Sequence, residues 1–213
     1  AIEQTLTPTS VLTLATSDES QQPLAVMPAL ESPRLSIVIP ALNEEESIGS
    51  TVQRCLDAAS RICRVGRVKS IEVIVVSDGS TDRTLELARK YEPQIKVIEF
   101  VQNRGYGAAL KTGIRQSASE LIVITDADGT YPNERIPALV RACADADMVV
   151  GARIADDVQY PLIRKIPKVF LKAYASWIAR QDIPDLNSGM RVFRRDVVEK
   201  FLNAEGTRGK GPK

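Results

Sequence analysis

From Arg34 onward the chain alternates short, continuous apolar runs rich in Val and Ile with stretches of helical period. No other feature limits its fold so strongly. The runs at 35–41 (LSIVIPA), 71–76, 95–100, 121–125 and 148–151 are too short for buried helices and too evenly apolar for strands with one wet face. Between them, 45–59, 81–91, 107–117 and 133–144 read as helices. Strands buried on both faces and separated by helices predict an α/β fold of Rossmann-like type, a mainly parallel sheet with helices on both faces. Asn43, with Glu46 three residues on, reads as a capping box opening the first helix. Ligands of such sheets bind beyond the carboxyl ends of the strands, so the residues just after each run carry the interest.

Those residues are acidic, small or hydroxylated. Pro40-Ala41-Leu42-Asn43-Glu44 follows the first run, Ser77-Asp78-Gly79-Ser80-Thr81-Asp82 the second and Asn103-Arg104-Gly105-Tyr106-Gly107 the third. Asp126-Ala127-Asp128-Gly129 follows the fourth, and Gly151-Ala152-Arg153 the fifth. Two carboxylates at i and i+2 after an extended run leave the same face of the chain. Hard oxygen ligands of that kind suit Mg²⁺ or Mn²⁺, which keep positions open for phosphate oxygens. Asp-x-Asp-Gly also suits a plain turn; its place at the end of an apolar strand, among the other motifs, favours ligation. Asp78-Gly79 likewise reads as a turn, with Ser80, Thr81 or Asp82 capping the next helix.

Absences narrow the chemistry further. The 213 residues contain no histidine, which excludes Ser-His-Asp and Cys-His triads and any His base. The three cysteines form no CxxC pair and are too scattered for a disulfide framework. A P-loop is absent, and Gly105-x-Gly107 lacks the third glycine of a dinucleotide fingerprint. The net charge of +1 argues against nucleic acid as a partner.

Residues 1–33 contain no Lys or Arg, are rich in Ser, Thr, Gln and Pro, and are expected to be a disordered tail or linker. Neither a signal peptide nor a transmembrane run is evident, and a first residue of Ala suggests a processed chain or a fragment. Residues 160–213 hold twelve Lys or Arg against five Asp or Glu, which points to an anionic partner or to a solvated basic face. Within them, Leu162, Ile166, Val169, Phe170, Ala173, Tyr174, Trp177 and Ile178 make a helical stripe interleaved with Arg164, Lys165, Lys168 and Lys172. Such a helix suits a membrane interface, or a core face with its bases in solvent. The expected organisation is a tail over 1–33, one domain over 34–203 and a polar basic tail over 204–213.

The series SIVIPALNEEESI, VIVVSDGSTDRT, NRGYGAALKTGI, VITDADGTYP and DLNSGMRVFRR resembles the GT-A-fold family 2 glycosyltransferases. Within them it is most similar to the dolichyl-phosphate mannose synthase and polyprenyl-phosphate glycosyltransferase group. The resemblance implies an inverting, metal-dependent transfer of sugar from a UDP- or GDP-sugar donor to a polyprenyl or dolichyl phosphate. By the same resemblance Pro40, Asn43, Glu44 and Asp78 contact the donor nucleoside, and Gly105 belongs to the donor site. Asp126 and Asp128 hold Mg²⁺ or Mn²⁺ and the diphosphate, and Arg153 binds phosphate. Asp185 stands where the family places its candidate base, and Arg164 and Lys168 would meet the acceptor phosphate. The expected location is the cytoplasmic face of a membrane, as a peripheral protein. A glycan hydroxyl acceptor and a nucleotide-binding domain without turnover remain as alternatives. Family members usually continue past the VFRR strand, where this sequence ends in GTRGKGPK, so the acceptor side is expected to be incomplete.

Overall fold

Side chains alternate across a strand, so a run that is apolar at every position has to be covered from both sides. The computed structural model shows this over the residues it describes, 11–12, 32–151 and 188–203. The elements in chain order are β1 (Val11–Leu12), β2 (Arg34–Ala41), α1 (Ile48–Gly66), β3 (Ser70–Asp78), α2 (Thr84–Arg89), β4 (Lys96–Phe100) and α3 (Tyr106–Gln116). They continue as β5 (Leu121–Ile124), α4 (Ile136–Ala142) between two 3₁₀ turns, β6 (Met148–Gly151), β7 (Arg191–Arg194) and α5 (Arg195–Asn203).

One sheet runs in the order β1-β6-β7-β5-β2-β3-β4. Every pairing is parallel except the two made by β7. Leu35, Ile37 and Ile39 of β2 join Val73 and Val75 of β3 on one face, under Ile48, Val52 and Ile62 of α1 and Leu139 of α4. Val38 turns to the other face with Ile114 of α3 and Leu202 of α5, beside a cluster of Ile74, Val76, Phe100 and Ala109. Burying each such Leu or Ile is worth roughly 1.5–3 kcal/mol, so the two-sided core dominates the stability of the sheet.

The expected α/β architecture is therefore present, with two corrections at helix boundaries. α1 begins at Ile48, with Ser47 as its N-cap and no side-chain capping bond; Asn43 and Glu46 do not form a capping box. Asn43 instead takes a positive φ of 55°, which turns its carboxamide toward the loop after β3, and the helix starts a turn later. α1 also runs on to Gly66, because Ile62 continues its buried face until Arg67 adopts a left-handed conformation. Of the expected N-terminal tail, only Val11–Leu12 is described, beside Val150 and Gly151. The rest of 1–31, the basic stripe at 161–178 and the tail at 204–213 lie outside the described residues.

Candidate active site

The order of strands reverses between β2 and β5, since β3 and β4 lie on one side of β2 and β5 on the other. A crevice opens at the carboxyl ends of the strands at such a switch point. Here it is a cavity of about 490 Å³, floored by Pro40 and Ala41 at the end of β2 and Leu42 after it, Asp78 at the end of β3, and Asp126, Ala127 and Asp128 after β5.

Reciprocal hydrogen bonds join the first two of these loops. The Thr81 amide donates to Asn43 Oδ1 at 2.8 Å, and the Glu44 amide donates to Thr84 Oγ1 at 2.7 Å. The Glu45 amide donates to Asp82 Oδ2 at 3.1 Å, and the Arg83 amide to Glu45 Oε2 at 3.0 Å. Desolvation acts to raise the Asp82 carboxyl, but the Thr84 and Glu45 hydrogen bonds outweigh it and hold the group below its usual range. Asp82 Oδ1 also accepts the Thr84 amide at 2.9 Å, but the N-cap of α2 is Arg83 and not Ser80, Thr81 or Asp82, because the helix starts later than the sequence suggests.

Asp78 is only 3% exposed, and its Oδ1 accepts the Arg104 amide at 2.7 Å. The Arg104 guanidinium stacks on Phe100 at 4.7 Å from the ring centre. Gly79 makes the approach of the two loops close: with φ at +73°, it lies directly against the backbone of Asn103.

The aspartate pair rests on a buried polar support. Ala127 is 2% exposed between the two outward aspartates, and its carbonyl accepts from Thr51 Oγ1 of α1 at 3.1 Å. Thr125 Oγ1 donates to Asn133 Oδ1 at 2.9 Å. Asp128 Oδ1 accepts from the Thr130 amide and hydroxyl at 3.0 and 2.7 Å, which closes the turn. The turn and the ligand readings of this motif thus share the same residues. Asp126 Oδ1 accepts the Tyr106 hydroxyl at 2.8 Å. Burial first, and Asp126 second, push the Tyr106 phenol well above its ordinary range, so it stays protonated.

The remaining wall comes from the segment leading into β7. The Ser188 hydroxyl donates to the Gly151 carbonyl at 2.5 Å, and the Gly189 amide donates to the Tyr131 hydroxyl at 2.5 Å. Gly189 sits so close to the Asp126 carboxylate that any β-carbon there would overlap it. Arg191, whose Nε donates to the Ser188 carbonyl at 3.0 Å, brings a guanidinium to the cavity.

Of the residues singled out from sequence, Pro40, Glu44, Asp78, Gly105, Asp126 and Asp128 line one cavity. Asn43 stands beside them as the tie between loops rather than in the lining. Arg153, Arg164, Lys168 and Asp185 lie outside the described residues. Sequence reasoning passed over Tyr106, Ser188, Gly189 and Arg191 as site residues. Tyr106 sits in a strand-end loop that had been noted. Ser188 and Gly189 precede β7 and Arg191 opens it, and the antiparallel direction of β7 brings its beginning, not its end, to the crevice.

A mainly parallel sheet with an inserted antiparallel strand and paired aspartates at the switch point defines a GT-A-type domain, and the comparisons with known structures agree. Glucosyl-3-phosphoglycerate synthase of Mycobacterium tuberculosis superposes with a TM-score of 0.57 at 24% identity, over 78% of this chain and 59% of that one. A mannosyltransferase of Pyrobaculum calidifontis, solved with GDP-Man and Mn²⁺, gives a TM-score of 0.57 at 24% identity, over 85% of this chain and 50% of that one. Residues 36–202 match Glycosyl transferase family 2, and the chain belongs to that family. Among curated relatives, undecaprenyl-phosphate 4-deoxy-4-formamido-L-arabinose transferase of Photorhabdus laumondii is 33% identical over 173 residues, 79% of this chain and 51% of the relative. The same transferase of Yersinia pestis is 32% identical over 174 residues, 80% and 51%. The chain thus spans about half the length of these relatives.

Proposed function

We propose that this chain is the donor-binding and catalytic unit of a metal-dependent, inverting glycosyltransferase that moves a sugar from a nucleotide diphosphate to a polyprenyl phosphate. The observation that carries this reading is the lining of the crevice. Among the described residues that line it, four carboxylates, Glu44, Asp78, Asp126 and Asp128, face the guanidinium of Arg191 beside the apolar surface of Pro40, Ala41 and Leu42. Such a lining repels a diphosphate unless a divalent cation lies between them, and hard carboxylate oxygens suit one.

Among the described residues no group of three or more His, Cys, Asp or Glu is placed to enclose an ion. Asp126 and Asp128 would therefore hold Mg²⁺ or Mn²⁺ together with diphosphate oxygens and water. Once bound, the ion neutralises charge that builds on the leaving diphosphate. Pro40, Ala41 and Leu42 cover the nucleobase, and Asp78 offers its remaining acceptor capacity to a base N–H. Arg191 meets a phosphate oxygen. In the transfer the acceptor oxygen bonds to the anomeric carbon from the face opposite the diphosphate, whose bond to that carbon breaks.

The undecaprenyl-phosphate transferases among the relatives support a lipid-phosphate acceptor. Such a phosphate is mostly dianionic at pH 7 and already nucleophilic, since its second pKa is about 6. Arg153, Arg164 and Lys168 would position it, and it needs no strong base. A hydroxyl acceptor would need one, and Asp185 is then the candidate. No described helix is long and apolar enough to cross a membrane, so the lipid would be met at a membrane surface, through the basic stripe at 161–178.

Calorimetry with UDP and GDP, with Mn²⁺ or with EDTA, tests the donor site. Binding should require the metal, and Asp128→Ala should weaken it about 10-fold or more. Equal binding in EDTA would overturn the metal assignment. Transfer to a short-chain polyprenyl phosphate then tests the acceptor: Asp185→Asn should keep measurable turnover while Arg153→Ala loses most of it. Complete loss in Asp185→Asn, with donor binding intact, would move the assignment to a hydroxyl acceptor.

A further inference from the structure

Asp126 leaves β5 in an irregular stretch, so no ladder of strand neighbours fixes its carboxylate. Neighbours from distant parts of the chain flank it instead. Tyr106, the first residue of α3, donates its hydroxyl to Asp126 Oδ1 at 2.8 Å. On the other side, the carboxylate lies against Gly189, filling the space that a β-carbon there would take. Tyr106 is brought to this place by Gly105, whose φ of +90° turns the chain sharply into the helix. The ring remains 51% exposed, an unusual position for a large aromatic side chain that serves only the core.

The chemistry of the phenol suits a carboxylate that must receive a cation. A phenol donates one hydrogen bond and leaves the carboxylate its full charge and most of its four lone-pair sites. A lysine or arginine in the same place would orient the group but cancel the charge that attracts an ion. We propose that Tyr106 is the positioning residue for Asp126: its hydroxyl holds the carboxylate in the orientation that receives the divalent ion and, through it, the donor diphosphate. This deepens the donor-site reading above and rests on it.

The test compares the wild-type chain with Tyr106→Phe and Tyr106→Leu. Free Mn²⁺ is read by electron paramagnetic resonance in the presence of UDP or GDP, nucleotide affinity in EDTA by calorimetry, and folding by thermal melting. Tyr106→Phe should raise the Mn²⁺ dissociation constant about 10-fold or more, as loss of a group that orients a metal ligand does. Its melting temperature should stay at the wild-type value, and in EDTA it should bind as little nucleotide as the wild-type chain does. Unchanged Mn²⁺ affinity in Tyr106→Phe, or a loss in Tyr106→Leu alone, would overturn the role of the hydroxyl while leaving the donor site standing. A melting temperature lowered in Tyr106→Phe in step with the lost Mn²⁺ affinity would reduce Tyr106 to a structural part and overturn the proposal. Absence of Mn²⁺ uptake by the wild-type chain with either nucleotide would overturn the donor-site reading and this inference together.

Discussion

Gly79 shows how a single residue lets two loops pack closely beside the crevice. Its φ of +73° is strained for any other residue, and a β-carbon would press into the backbone of Asn103 and Gln102. Gly79→Ala should therefore destabilise the fold by about 3 kcal/mol, the sum of a left-handed backbone and an overpacked contact, measured by urea unfolding. The cysteines give a second test at this scale. Burial pushes the thiols of Cys55 and Cys143 up to about 12 and about 11, whereas Cys63 is only half-buried. At pH 8 one thiol of the native chain should react with Ellman's reagent, and all three after denaturation. Which residues of the site were legible in sequence follows from direction. Asp78, Asp126 and Asp128 stand after parallel strands, where a strand-end rule looks. Tyr106 meets a residue that follows another strand, and Arg191 opens an antiparallel one; neither relation is written in local sequence.

The elements were legible where a pattern is local, and less so where tertiary contacts decide. The apolar runs marked β2 to β6, but the start of α1 shifted because Asn43 bonds to the loop after β3 rather than to the helix. Two ties between elements yield predictions. Glu120, at the entrance to β5, accepts from the Arg34 amide at 2.7 Å and from its guanidinium at 2.8 Å. These bonds lower the Glu120 carboxyl from 4.5 to about 2. A depressed carboxyl stabilises the fold above its unfolded value, and that contribution is lost as pH falls toward the folded one. Both side chains are about half exposed, so the stability difference between wild type and Glu120→Gln should be under about 1 kcal/mol at pH 7. It should shrink to nothing as pH falls from 4.5 through about 2, followed by urea midpoints across that range. Asn133 is 1% exposed beneath the aspartate pair, and Asn133→Ala strands the Thr125 hydroxyl in the core. About 2 kcal/mol of stability should be lost, with weaker Mn²⁺-dependent nucleotide binding.

At the scale of the whole molecule, the sheet is assembled out of chain order. β7 pairs with β5 on one side and β6 on the other, so it is inserted between strands that precede it. Among the described residues, β6 pairs with β7 and with two residues of β1 alone. The resemblance to family 2 pointed to a strand at VFRR, but not to its direction or its place between β5 and β6. That arrangement has a consequence for a chain emerging from a ribosome. β2, β3, β4 and β5 can pair as soon as they are made, and with α1 and α3 they can bury most of the core. Met148–Gly151 lacks its longer partner until Arg191–Arg194 has been synthesised, and the wall of the crevice that carries Gly189 and Arg191 is missing until then. The nascent protein is then half built, with an open edge at β5 through much of elongation, the condition in which unpaired strands find wrong partners. A chain ended at residue 187 should show slow amide hydrogen exchange in β2, β3 and β5 but fast exchange in β6, and should aggregate more readily than the full chain. Protection of β6 equal to that in the full chain would mean that it reaches the sheet without β7.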